Sequence, residues 1–174
     1  MSRIALFTDS KGNNRHMLLQ ERPTSCGPAC VAMVEHLKLN KPLSEARVRE
    51  VSDLYPGGWN DYDGTSLQNV VMTLEGSDGL KTTTFHGTHA ASILRHVQRY
   101  HPAIAFVRWQ SGNGHFIVCS HAYHDGTFVF LDPWYGLAEI TSGDLPTYDG
   151  KKGQLFEDTL DGPILGTITH IVTT

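Results

Sequence analysis

At 174 residues with a formal net charge of -4, the chain suits one domain with a substantial core and offers no broad basic surface for nucleic acid. Its three cysteines, Cys26, Cys30 and Cys119, are too few and too odd in number for a disulfide framework, which points to a reducing, cytoplasmic setting. The only apolar run near the start, residues 4–7, is far below the length of a signal peptide or a membrane span, so no membrane partner is expected and secretion would need a specialised system.

Residues 4–7 read as a short edge strand, and the polar 9–14 stretch as a turn-rich lead-in to the loop Gln20-Glu21-Arg22-Pro23-Thr24-Ser25. Val31, Ala32, Val34 and Leu37 predict a central helix over 26–39, with Thr24 or Ser25 as its cap and Pro28 in the first turn, where a missing N–H costs nothing. Cys26 then falls at the helix N-terminus, over unpaired N–H groups and the positive end of the dipole, a setting that favours a thiolate. Ser44 caps a second helix over 45–54, with charges of both signs on its exposed face. The 55–64 loop carries Tyr55, Trp59 and Tyr62 among glycines and acids. That composition suits a cleft wall, and equally a surface loop whose aromatics tuck onto the core.

Thr65 or Ser66 caps a third helix over 67–76, a strand follows at 80–85, and Thr88 caps a fourth helix over 90–100 that His101-Pro102 ends. Runs at 103–109, 115–123, 127–131, 137–141 and 164–172 then read as strands joined by glycine-rich turns. Helices first and an antiparallel sheet second imply an α+β fold with its cleft where the halves meet.

A thiolate nucleophile needs a base and a group that orients the base. His115 follows the Gly112-Asn113-Gly114 turn and opens the apolar strand Phe116-Ile117-Val118, so its ring is expected at a rigid strand end. Asp132 closes the next strand at Phe130-Leu131-Asp132-Pro133. Hairpin pairing brings those ends together, and the carboxylate can then accept from His115 and fix its tautomer. Trp134 is placed either to shield that bond from water or to pack in the core. Gln20 can return its side-chain amide toward a carbonyl under attack, with the Cys26 backbone N–H as the second donor of an oxyanion hole. Gly27, Trp59, Gly114 and Trp134 are the remaining candidates for the cleft.

As a set, Gln20, Cys26-Gly27, Gly114-His115-Phe116-Ile117-Val118 and Leu131-Asp132-Pro133 resemble the papain-like cysteine peptidases, most of all their compact bacteriocin-processing branch, over about residues 20–136. That branch removes leader peptides after a double glycine and usually sits at the front of an ABC transporter. Cys30 stands one residue later than the papain pattern puts its second cysteine, Val31 replaces an aromatic, and Cys26 to His115 is shorter than the papain spacing of roughly 130 to 150 residues. These departures favour the compact branch. With no transporter segment following, the chain resembles a free-standing relative, such as the peptidase domains that bacteria deliver into competitors as toxins. The resemblance implies a single papain-like peptidase domain over 1–174 and no cofactor. It also implies a protein or peptide substrate cut after Gly-Gly and, for a toxin, a cognate inhibitor (immunity) protein in the producing cell.

Other readings stay open on the residues. Leader-peptide maturation, acyl transfer, deamidation and transglutamination use the same trio, and a binding module would keep the fold without the chemistry. Cys30, one turn after Cys26, and Cys119, sharing a strand face with Ile117, are expected in the core. A Cys26/Cys30 metal pair, or the pairs His86/His89 and His121/His124, lack the further ligands of a closed site, so no metal is expected.

Overall fold

The computed structural model describes residues 3–87, 94, 102–157 and 164–174. A hairpin comes first: β1 (Arg3–Thr8) pairs antiparallel with β2 (Asn14–Leu19) around the polar 9–13 turn. Strand β2 is absent from the sequence reading because its first half is polar, and only Met17 and Leu18 are fully buried.

Three helices follow among the described residues. α1 (Cys26–Leu39) has the predicted bounds and is buried from Gly27 through Glu35, so it runs through the core. It ends at Asn40, whose left-handed backbone closes the last turn. Ser25 occupies the N-cap position without capping; its hydroxyl turns back onto the Arg22 backbone, and the Thr24 hydroxyl donates to the Asn60 carbonyl. α2 (Glu45–Ser52) is capped by Ser44, which accepts from the Arg47 N–H. α3 (Leu67–Asp78) is capped by Ser66 in the same way, and Gly79 closes it in the left-handed region. Gly76 therefore lies inside α3, where its bare backbone admits the Tyr55 ring.

Two expectations about this region change. α2 is not charged on its exposed face alone: Glu45 is fully buried and pairs with Arg49 one turn on. The predicted fourth helix lies outside the described residues, apart from Leu94, which is helical and fully buried.

The second half builds an antiparallel sheet. Among the described residues its strands are β3 (Thr83–His86), β4 (Ala103–Trp109), β5 (Gly114–Ala122), β6 (Thr127–Asp132), β7 (Gly136–Thr141), β8 (Thr147–Asp149) and β9 (Leu165–Thr173). The spatial order is β3-β9-β4-β5-β6-β7, with β8 also on β9. Alternation along each strand divides the apolar side chains between two cores. Ile104, Phe116, Val118, Val129 and Leu131 face α1. Ala105, Val107, Ile117, Phe128 and Phe130 face the other way, around Tyr148 and Ile168. The chain returns over that second face: β8 pairs with β9, Gly153 bridges to Ala138 of β7, and Leu94 belongs to the same core. Cys30 sits in the first core and Cys119 in the second, both fully buried.

Candidate active site

The site begins where β4, β5 and β6 reach the same end of the sheet. β5 starts at Gly114 directly after the 110–113 turn, so His115 is held by strand pairing opposite Val107. Trp109 lies on the same face as Val107, diagonal to His115, and its ring stacks on the imidazole at 5.5 Å between centroids. On the other side, His115 Nε2 donates to Asp132 Oδ1 at 2.8 Å.

Asp132 is fully buried and receives further donors. The Trp134 and Tyr135 N–H groups donate to Oδ1 at 2.8 and 3.1 Å, and the Tyr148 hydroxyl donates to Oδ2 at 2.8 Å. Burial alone would raise this carboxyl, but the His115 charge, its hydrogen bond and the two N–H groups outweigh it and hold Asp132 below the usual carboxylate range. For His115, burial works against the charged ring. The Asp132 charge and hydrogen bond, followed by the hydrogen bond and charge of Cys26, prevail and carry it up to about 10. Its surroundings thus favour the imidazolium form of the ring.

Cys26 opens α1 at the same place, half-buried and within hydrogen-bonding reach of His115. With Nε2 committed to Asp132, Nδ1 is the ring nitrogen that faces the thiol. Gly27 lets the helix approach this closely: a Cβ there would stand 2.9 Å from Thr65 Cβ and 3.5 Å from the Phe116 ring. The cleft over Cys26 has a volume of about 720 Å³. Thr24, Tyr62, Asp63 and Thr65 wall it on the helical side, and Phe106, Gly114, Trp134 and His170 on the sheet side. An imidazolium beside a thiol can stabilise a thiolate and can later deliver a proton to a leaving group.

The structure assembles Cys26, His115 and Asp132, with Gly27, Gly114 and Trp134 around them, and places other predicted groups elsewhere. The Gln20 amide is turned into its own loop, where Nε2 donates to the Arg22 and Pro23 carbonyls at 2.7 and 2.9 Å. The loop folds back beneath Gln20, and those carbonyls are its nearest acceptors. Trp59 does not line the cleft; its ring lies against the Arg49 guanidinium at 5.2 Å. The cleft wall from that loop is instead Tyr62, 91% exposed, with Asp63 and Gly64. Trp134 contributes its N–H to Asp132 while its side chain is 45% exposed, so Trp109 and not Trp134 covers the imidazole. His121 packs edge-on against Tyr123 at 4.5 Å.

Trp109 and Tyr148 are not among the site residues expected from the sequence. Trp109 had a usable signal, since residues 107 and 109 of one strand share the face that His115 joins from the next. Tyr148 had none, because β8 is only 3 residues long. Tyr148→Phe is expected to leave Asp132 Oδ2 without a donor and to cost about 1–3 kcal/mol of stability, read as a lower urea midpoint with unchanged slope.

A sequence-family model of the Peptidase C39 family matches residues 14–147, well over half of the chain. Among solved structures, the peptidase domain of Streptococcus ComA, a bifunctional ABC transporter involved in a quorum-sensing pathway, aligns with a TM-score of 0.61 at 15% identity. That alignment covers 88% of this chain and 93% of that one. A double-glycine-motif protease from an AMS/PCAT transporter, solved in complex with the leader peptide, aligns with a TM-score of 0.57 at 16% identity, covering 90% of this chain and 87% of that one. The peptidase domain of Streptococcus mutans ComA gives 0.50 at 14% identity, over 90% and 96%. No curated protein matches the chain. These structures share the α+β, papain-like arrangement of a helical half against an antiparallel sheet, and with the family match over residues 14–147 the chain belongs to the Peptidase C39 family and is a cysteine peptidase.

Proposed function

We propose that this peptidase cleaves a peptide chain after a Gly-Gly sequence through an acyl-enzyme formed on Cys26. Cys26 Sγ attacks the scissile carbonyl carbon, and the His115 imidazolium gives its Nδ1 proton to the leaving amine. Water then gives a proton back to Nδ1 as it attacks the thioester, and Cys26 leaves as the thiolate. Asp132 fixes the ring through Nε2 and balances its charge. The observation that carries this reading is His115 held between Asp132, at 2.8 Å, and Cys26 in the lining of one cleft.

The Cys26 backbone N–H is the oxyanion donor already at the nucleophile. Gln20 joins it by turning one amide hydrogen from a loop carbonyl to the substrate. Gln20→Ala is expected to lower kcat on the order of a hundredfold. Alkylation of Cys26 by iodoacetamide, which develops no oxyanion, should slow far less. Equal losses in both would assign Gln20 to loop structure alone.

Glycines stand on both sides of Cys26. Gly27 abuts Thr65, Gly114 lies under the Phe106 ring, and Phe106 and Phe116 are 5.0 Å apart between centroids. The leader-peptide complex of the double-glycine protease supports a Gly-Gly substrate. Cleavage of a peptide panel, read by mass spectrometry, tests the specificity: replacing either glycine by Leu should reduce kcat/KM at least tenfold, and unchanged cleavage would overturn it. Acyl transfer or deamidation would appear instead as mass changes without chain scission. An antagonistic role in a target cytoplasm, held in check by an inhibitor over the cleft, would use this same site. Growth arrest that depends on Cys26 distinguishes it from leader processing.

A further inference from the structure

We infer that Glu45 is a positioning residue for Cys26, reaching from α2 to hold the 21–25 loop that delivers the nucleophile; the inference rests on the role proposed for Cys26. Glu45 opens α2 and is fully buried, outside the cleft lining. The Glu21 N–H donates to its Oε2 at 2.7 Å, and the hydroxyl of Ser25, the residue before Cys26, lies within hydrogen-bonding reach of the same carboxylate. Arg49 donates to Oε1 and reaches the Glu21 carboxylate at 3.0 Å, with Trp59 against its guanidinium.

This places one carboxylate at both ends of the loop. Ser25 is itself buried, and its hydroxyl accepts from the Arg22 N–H and donates to the Arg22 carbonyl, both at 3.0 Å. Gln20 holds the inner side through the Arg22 and Pro23 carbonyls, while Glu45 ties the loop backbone to α2 and Arg49 ties the Glu21 side chain to it. A buried carboxylate is costly unless its oxygens find donors, and here both do. Its donors are the Glu21 N–H, in the segment that sets where α1 begins, and the Arg49 guanidinium. Displacing a reacting atom by about 1 Å costs on the order of a hundredfold in rate, so slack in this loop should be felt at Cys26 Sγ and not in substrate binding.

The test measures kcat, KM and the rate of Cys26 alkylation by iodoacetamide in Glu45→Ala, Glu45→Gln and Ser25→Ala. Glu45→Ala is expected to lower kcat and the alkylation rate by about tenfold or more, with KM within about twofold. Glu45→Gln should recover a substantial part, because its amide oxygen still accepts from the Glu21 N–H. Wild-type kcat and alkylation in folded Glu45→Ala would overturn the inference, as would a loss that tracks the folded fraction and is not relieved by Gln. Should Glu45→Ala fail to fold, Ser25→Ala decides: slower turnover and alkylation at unchanged KM support the role, and wild-type rates overturn it. Retained cleavage in Cys26→Ala would remove the reading beneath this one, whereas wild-type Glu45 and Ser25 variants would leave that reading standing.

Discussion

Cys26→Ala is expected to fold as the wild type does and to cleave no peptide. The apolar burial that holds α1 begins at Gly27, so removing a half-buried Sγ at its first residue takes little from the core. Neither of the other two cysteines can take over. Cys30 and Cys119 are fully buried in opposite cores, and burial pushes the Cys119 thiol up to about 12. Fragments of a Gly-Gly peptide read by mass spectrometry, together with far-UV circular dichroism, check both halves of the expectation. Cys26→Ser should also be severely impaired, because a serine hydroxyl ionises far less readily and the site is built around an imidazolium, not a neutral base.

His115→Ala should lower kcat/KM by about 10²–10⁴-fold, the usual worth of a positioned acid-base group, and it should also destabilise the fold. It leaves Asp132 buried without its cation, and breaking a buried pair in this way costs about 3–5 kcal/mol. The pH dependence has a definite sign. The His115 value rises from 6.5 to about 10 on folding, so its contribution is complete below 6.5 and is lost as pH climbs toward 10. Asp132 is lowered from 3.8, so its contribution is complete above 3.8 and is lost as the medium becomes more acid. The stability gap between wild type and His115→Ala should therefore be widest between pH 3.8 and 6.5 and should narrow toward pH 10. Urea midpoints measured across that range check it, and a gap that widened in alkali would contradict the ion pair.

The elements legible from the sequence are those with strong local patterns. Pro28 after Cys26-Gly27 and the apolar spacing behind it located α1, and the Gly112-Asn113-Gly114 turn located the β4–β5 hairpin and with it His115. Side-chain direction was less legible, because it depends on contacts between segments distant in sequence. Gln20 faces its own loop since carbonyls 22 and 23 return beneath it. Trp59 follows Arg49, which α2 presents, and leaves Tyr62 and Asp63 to the cleft. Glu45 has the look of a solvated first-turn acid, and its bonds to the Glu21 N–H and to Arg49 go with its burial. Tyr148 reaches Asp132 from a strand too short to show any alternation.

The most direct test of the site is its reaction with a peptide that ends in Gly-Gly chloromethyl ketone, followed by intact-mass measurement and peptide mapping. The thiolate displaces chloride, so the label records which sulfur is both reactive and reached by a Gly-Gly ligand. One label per chain is expected, on Cys26, with Cys30 and Cys119 untouched, much slower labelling in His115→Ala, and loss of peptidase activity in step with labelling. Labelling of Cys30 or Cys119 instead, or full peptidase activity in protein whose Cys26 is fully labelled, would contradict the account.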